Sequence, residues 1–380
     1  MCLAVILLVS TQSALAYPPD NAAVLYYKAC LLYQPDDAMK KMLTDLSKGK
    51  IKLNKKIKKY VKSQHNVINS VVTAAHLPDC DWGYDYSQGF ALMMPGLSAL
   101  RNVARLIVAD AKILAAQGKY ETSLECCLTI KKMARHVSDR PIITHLVGIT
   151  MDDLANNCIV NILADMPQDL RTLNWLKNQL ANIEKMPFSL AICIDYESET
   201  VGEYVSKEAV KKLMPFEELG VSPEVAKVTA DRLRKADAAF FARNAAYYEN
   251  HMACVKATLD LPYAEAYAEL EKLSKKPEKD ALNNPDATLT AVFAPAIHRV
   301  YAQLVKVKNS SNAVRVAVDI YILKAKTGRL PDELPAGAPK DLFSGKDFKY
   351  ERKADGFVLR CQGRDLLKDK VYEYEFKVKK

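Results

Sequence analysis

From Asn21 to about Lys308 the sequence repeats one pattern: a helix-start signal, apolar residues at three- and four-residue spacing, then a short polar break. Asp20 stands ready to cap AAVLYYKACLLY, and Pro35-Asp36-Asp37 opens the next segment with acidic residues where the helix dipole favours them. Residues 54–77 place Ile57, Val61, Ile68, Val71 and Val72 on one stripe and predict a third helix. Pro95-Gly96 precedes a long helix to about Gln117, and another runs from Tyr120 to about Val137. Pro141, Pro167, Pro187 and Ser222-Pro223 each restart the chain, and Pro277 and Pro295 punctuate the last third. Breaks this short return successive helices antiparallel. With only 13 glycines in 380 residues, large β folds and glycine-rich nucleotide loops are disfavoured. The expectation is a mainly α fold, an irregular antiparallel helical array over residues 17–308.

One hairpin carries a tetratricopeptide-like pattern: Ala111, Leu114, Gly118, Tyr120, Ser123, Cys127 and Ile130 alternate small and bulky residues where two helix axes must approach. No second 34-residue copy follows, so the array is irregular.

The pattern changes after Gly328. A helix over 311–327 ends there. DLFSGKDFKYERK, an Asp355-Gly356 turn, GFVLRCQ and VYEYEFKV then read as about three antiparallel strands. In the last, Tyr372, Tyr374, Phe376 and Val378 alternate with Glu373, Glu375 and Lys377, the mark of a half-buried strand. Residues 309–380 are therefore expected to form a small, separable α+β domain.

At the other end, residues 1–16 (MCLAVILLVSTQSALA) combine an apolar run with Ala14-Leu15-Ala16, the pattern of a signal peptide cleaved before Tyr17. A basic residue before the apolar run is missing. The expected location is periplasmic or secreted, and no further segment predicts a membrane span. Eight cysteines follow Tyr17. Most sit in apolar periodic stretches and read as buried thiols, although an exported chain permits disulfides. There is no C-x-x-C pair and no histidine spacing for a metal.

The tail resembles the globular part of the major pseudopilin of type II secretion systems. The shared order is a helix ending Thr327-Gly328-Arg329-Leu330-Pro331, then Pro339-Lys340-Asp341-Leu342-Phe343-Ser344-Gly345-Lys346, then a hairpin ending near Gly363-Arg364-Asp365. Leu342 stands where that family has a second proline, and the methylated pilin helix is absent, which argues against pilin-like polymerisation. The family often binds calcium through aspartates in its final loop; here only Asp365 and Asp369 are available, beside Lys368 and Lys370. The whole chain is also similar to a group of exported bacterial proteins that join a helical array to such a tail. The matching features are Asn21-Ala22-Ala23 with Tyr26-Tyr27, Cys80-Asp81-Trp82-Gly83, Arg101 and Arg105 within Leu97 to Leu106, Gly118, and His145-Leu146-Val147-Gly148-Ile149. This likeness implies fold and export and supplies no activity.

No nucleophile elbow, zinc-protease, Walker or dinucleotide motif is present, so no catalytic residue, metal or cofactor is expected. His145, within IITHLVGI, reads as a hydrogen-bonded core histidine. The most unusual segment is CDWGYDYSQGF, 80–90. Trp82, Tyr84 and Tyr86 have apolar bodies and polar tips, suited to recognition, and Arg101 with Arg105 one turn apart can grip an acidic ligand. Alternatively the aromatics cover a helix end and the arginines pair with Asp195, Glu197 or Glu199. Between 40 and 62 lie ten lysines and one acid, Asp45. On a helix Lys55, Lys56, Lys58, Lys59 and Lys62 make a solvated face able to attract anionic lipid or an acidic polymer. Nucleic acid is not expected, since arginines and aromatics are not interleaved. The functional expectation is a non-enzymatic protein-binding or scaffolding module at the cell envelope. The alternatives are an accessory part of a pseudopilus-like or secretion assembly, and an enzyme or binder of acidic envelope polymers working through residues 80–105.

Overall fold

A computed structural model describes residues 20–205 and 221–378. The signal-peptide expectation at 1–16 lies outside them. The described chain is mainly helical with a small antiparallel sheet at the C-terminal end, and no described helix is long and apolar enough to cross a membrane.

The first helices are set by side-chain caps. Asn21, rather than Asp20, caps α1 (Ala22–Leu32): its Oδ1 accepts from Ala23 N at 3.0 Å and from Asp81 N at 2.9 Å, so one amide starts the helix and ties it to the 79–82 segment. Asp36 caps α2 (Asp37–Ser47) and Asn54 caps α3 (Lys55–Ser63). The helix expected over 54–77 breaks at Gln64, and α4 (His65–His76) follows. The break has a packing reason. Ile57 and Val61 belong to a helix packed on α5 (Leu97–Ala116), whereas Val67, Val71 and Ala74 belong to one packed on α1 and α6 (Tyr120–Val137).

The α5–α6 hairpin has the small residues where they are needed. Ser123 Oγ donates to Ala111 O at 2.7 Å across the crossing, and Gly118 takes the left-handed turn with φ +76°. Next comes α7 (Ile142–Asp165), whose Gly148 allows a still closer approach: a Cβ there would stand 2.0 Å from Ser138 Oγ and 2.7 Å from the Ala134 carbonyl. The array continues through α8 (Leu170–Glu184), α9 (Leu190–Val205), α10 (Pro223–Arg234), α11 (Ala238–Thr258), α12 (Tyr263–Asn283) and α13 (Thr288–Phe293). Pro277, expected as a break, lies buried inside α12. The end of that helix is held from outside, by the Arg232 guanidinium donating to the Ala281 carbonyl and to Thr288 Oγ1.

The helix expected over 311–327 begins at Ile297 and runs unbroken to Thr327 as α14, closed by Gly328 at φ +77°. The boundary expected at 308/309 therefore falls inside one continuous helix. Beyond it, β1 (Lys349–Lys353), β2 (Gly356–Arg360) and β3 (Glu373–Lys377) pair antiparallel in the order β1-β2-β3. The hairpin turn is Ala354-Asp355, one residue earlier than expected. Gly356 instead pairs with Lys377, where a Cβ would meet Phe376 O at 1.9 Å. As expected, β3 buries Phe376 and exposes Glu373, Glu375 and Lys377.

The sheet is not set apart from the array. Phe357 stacks on Phe376 (5.2 Å) and meets Tyr321 of α14 (5.5 Å). Asn309 accepts from Leu342 N at 2.7 Å, and Tyr263 of α12 accepts from Leu366 N at 3.0 Å. One apolar core runs from α1 through α14 into the sheet. At its centre α6, α7 and α14 meet on a polar knot. Lys131 Nζ donates to Asp152 Oδ2 (2.8 Å), Asn156 Oδ1 (2.8 Å) and Ser311 Oγ (3.1 Å), and Arg135 donates to Asp152 Oδ1 (2.7 Å). Lys131 is fully buried and Asp152 is 1% exposed.

Candidate functional site

The 80–94 segment begins with an anchor. Trp82 is 3% exposed, its Nε1 donates to the His136 carbonyl at 2.7 Å, and its ring stacks between Tyr26 (5.6 Å) and Tyr84 (6.2 Å). This corrects its expected place on a recognition surface: an indole with a backbone acceptor at hand is more stable buried than wet. Beneath it Tyr26 and His136 share a 3.0 Å hydrogen bond, and burial lowers the His136 pKa to about 4.

From Trp82 the aromatics step outward. Tyr84 and Tyr86 are half-buried. Tyr86 donates to the Asp139 carboxylate, lies under the Arg140 guanidinium (4.8 Å) and meets Tyr196 of α9 edge-on (5.5 Å). Burial first, and then the Asp139 hydrogen bond, push the Tyr86 phenol far above its ordinary pKa. The loop then folds through the 3-10 turn Tyr86–Ala91 onto α9. Gly89 has φ +54°, and a Cβ there would reach 3.1 Å from Thr200 Cγ2.

This arrangement leaves a half-open cleft of about 350 Å³ between the loop, the first turns of α7 and α9. Its lining is mostly apolar: Leu92 and Met94 from the loop, Ile143 and Leu146 from α7, Val201 from α9. Met93, between two lining residues, is 77% exposed, and Ile143 is 47% exposed. One acid faces this space. Glu197 accepts from Ile142 N at 3.5 Å, and burial raises its carboxyl pKa. The sequence separates Glu197 from Asp195 and Glu199 by helix face; both of those are exposed, and Asp195 pairs with Lys256 at 2.6 Å.

Arg101 and Arg105 do not join this site. Both are half-buried on α5; Arg105 donates to Asn102 at 2.6 Å, and burial together with the Arg101 charge lowers its pKa. Among the described residues neither arginine forms an ion pair or stacks on Trp82, Tyr84 or Tyr86, and neither reaches Asp195, Glu197 or Glu199. A single ligand grip built from the three aromatics and the two arginines is therefore absent. Lys55, Lys56, Lys58, Lys59 and Lys62 are all exposed, with Ile57 and Val61 inward, as the pattern predicts.

His145 is buried against Phe188 (4.8 Å between rings), which lowers its pKa to about 4, and its Nε2 has no partner. It is a core residue, though not through a hydrogen bond at that nitrogen. The eight described cysteines are free thiols: five are buried, Cys30 and Cys80 are half-buried, and Cys254 is exposed. Asp365 accepts from Leu367 N (2.9 Å) and the Tyr372 hydroxyl (2.9 Å), and Asp369 pairs with Arg364, so the protein itself occupies both tail aspartates. Among the described residues no three His, Cys, Asp or Glu side chains gather as metal ligands.

Sequence reasoning missed the Lys131–Asp152 knot and Glu197's place in a cleft. The knot was readable only as Lys131 and Arg135 one turn apart on an otherwise apolar helix face. Comparison with family models, with curated proteins and with solved structures gives no match.

Proposed function

We propose that the protein is a non-enzymatic binding module of the cell envelope, and that the cleft between the 82–94 loop, α7 and α9 receives an apolar side chain of a partner protein. The observation that carries this reading is the cleft's apolar lining with Met93 and Ile143 left in water at its edge. The lone acid, Glu197, suits a donor on the incoming segment. Export rests on the apolar run and the Ala14-Leu15-Ala16 site.

Two other readings have less behind them. Assembly through the sheet would use the edge strands, but these present Lys349, Lys353, Glu373, Glu375 and Lys377 to solvent, and charges on an edge discourage added strands. Action on acidic polymers through 80–105 would need Trp82 at the surface beside Arg101 and Arg105.

A photoreactive benzoylphenylalanine at position 143, in protein expressed in its native host, is expected to give one dominant adduct. The same group at Leu31, exposed elsewhere, is expected not to give it, and Val201→Trp, which fills the cleft, is expected to abolish it. No adduct at 143, or the same adducts from both positions, overturns the binding reading. N-terminal sequencing of the host protein is expected to begin near Tyr17; an intact Met1 overturns export.

A further inference from the structure

A second groove, of about 650 Å³, opens between α3, α4 and the end of α5. Its floor is apolar: Val61 and Ile68 belong to the core, and Ile113 and Leu114 are half-buried on α5. Its rim is cationic. Lys58 and Lys62 reach it from α3 and Lys119 from the turn after α5; all three are exposed, and none forms an ion pair with a described residue. His65 stands beside them, hydrogen-bonded to Asn69 at 2.9 Å. The one acid among the lining residues is Asp110, half-buried, with its pKa raised by burial. Against it stand the three lysines of the rim.

An apolar trough rimmed by lysines that pair with no described acid complements one kind of ligand. We infer that this groove binds a monomeric anionic amphiphile, a single acyl chain on the Val61–Ile68–Ile113–Leu114 floor with its acidic head among Lys58, Lys62 and Lys119. The remaining lysines of the 40–62 segment steer the anion in. A flat anionic bilayer could meet those lysines but could not fill a concave floor. The groove is lined by none of the residues of the 82–94 cleft, so it stands or falls independently of the binding role proposed above.

The experiment is calorimetric titration of the full chain with decanoate below its micelle concentration, with 1-decanol as the uncharged control and phosphatidylglycerol vesicles as the membrane source. Decanoate is expected to bind saturably at one site, and decanol markedly more weakly. Replacing Lys58 and Lys62 together by Gln should weaken decanoate about tenfold or more, since two of the three cations at the rim are removed. Ile113→Trp, which fills the trough and leaves every lysine, should remove binding while circular dichroism stays unchanged. Equal affinity for decanol and decanoate on the wild-type chain overturns the proposal without reference to any variant. Binding to vesicles with none to monomeric decanoate overturns it too, as does decanoate binding that survives Ile113→Trp in a folded protein.

Discussion

At the scale of single residues, the buried charges decide most. Burial alone would raise the Asp152 carboxyl; Arg135 and Lys131, with the Ser311 hydrogen bond, outweigh that and hold it at about 2. A carboxylate depressed in the folded state stabilises above its unfolded pKa of about 3.9 and loses that contribution as pH falls through about 2. Removing it leaves Lys131 buried without an ion-pair partner and Arg135 with only Glu184, at 3.9 Å. Asp152→Ala is therefore expected to cost about 3–5 kcal/mol, measured by urea denaturation near neutral pH. The buried histidines act earlier in an acid titration. His136 and His145 have pKa values lowered to about 4, so only the unfolded chain takes up their protons between about pH 6.5 and pH 4. Stability is full above that window and falls within it. His145→Leu is expected to flatten the decline of melting temperature with acid.

At the scale of elements, the sequence was readable wherever a helix signals its own start and stop. Asn54, Asp36, Ser222 and Gly328 cap helices as their types require, and the tail strands follow from the alternation at 372–378. It failed where tertiary partners override local signals. The Asn309-Ser310-Ser311-Asn312 run looks like a linker, yet Asn309 is fully buried and Ser311 nearly so, each satisfied by residues far away in sequence. Trp82 likewise lies in a loop rich in polar residues, and nothing local announces that the His136 carbonyl and Tyr26 wait for it. The α6–α7 pair gives a test of element packing. In Gly148→Ala the added methyl meets the Ala134 carbonyl, which cannot rotate away as Ser138 can. The expected loss is about 1–3 kcal/mol, and Ser138→Ala should not restore it.

For the whole molecule, the continuity of the core matters more than the change from helix to sheet. A fragment starting at Asn309 would keep the sheet and half of α14. It would lose Tyr263 of α12, the α7 face against β3, and the partners of Ser311. It is expected to be unfolded or aggregated by circular dichroism and size-exclusion chromatography, and the full chain is expected to melt in one transition. A soluble fragment with mixed α/β signal would show that the interface contributes little. Charge is also distributed at this scale: ten lysines less one acid in residues 40–62 equal the net +9 of the chain, so the remainder is balanced.

The 31-residue α14 fixes an angle as well as a distance. Each residue of an α-helix advances about 100° around its axis. Adding or deleting one residue near position 308 would therefore swing Tyr321 and everything mounted beyond it to another side of the rod, while Val305 and its neighbours stayed in place. Length changes there can survive only near whole turns. Loops such as Arg329–Pro339 face no such arithmetic, and a tag, fusion or natural insertion belongs in them and not at the point where helix-rich sequence gives way to strand-rich sequence.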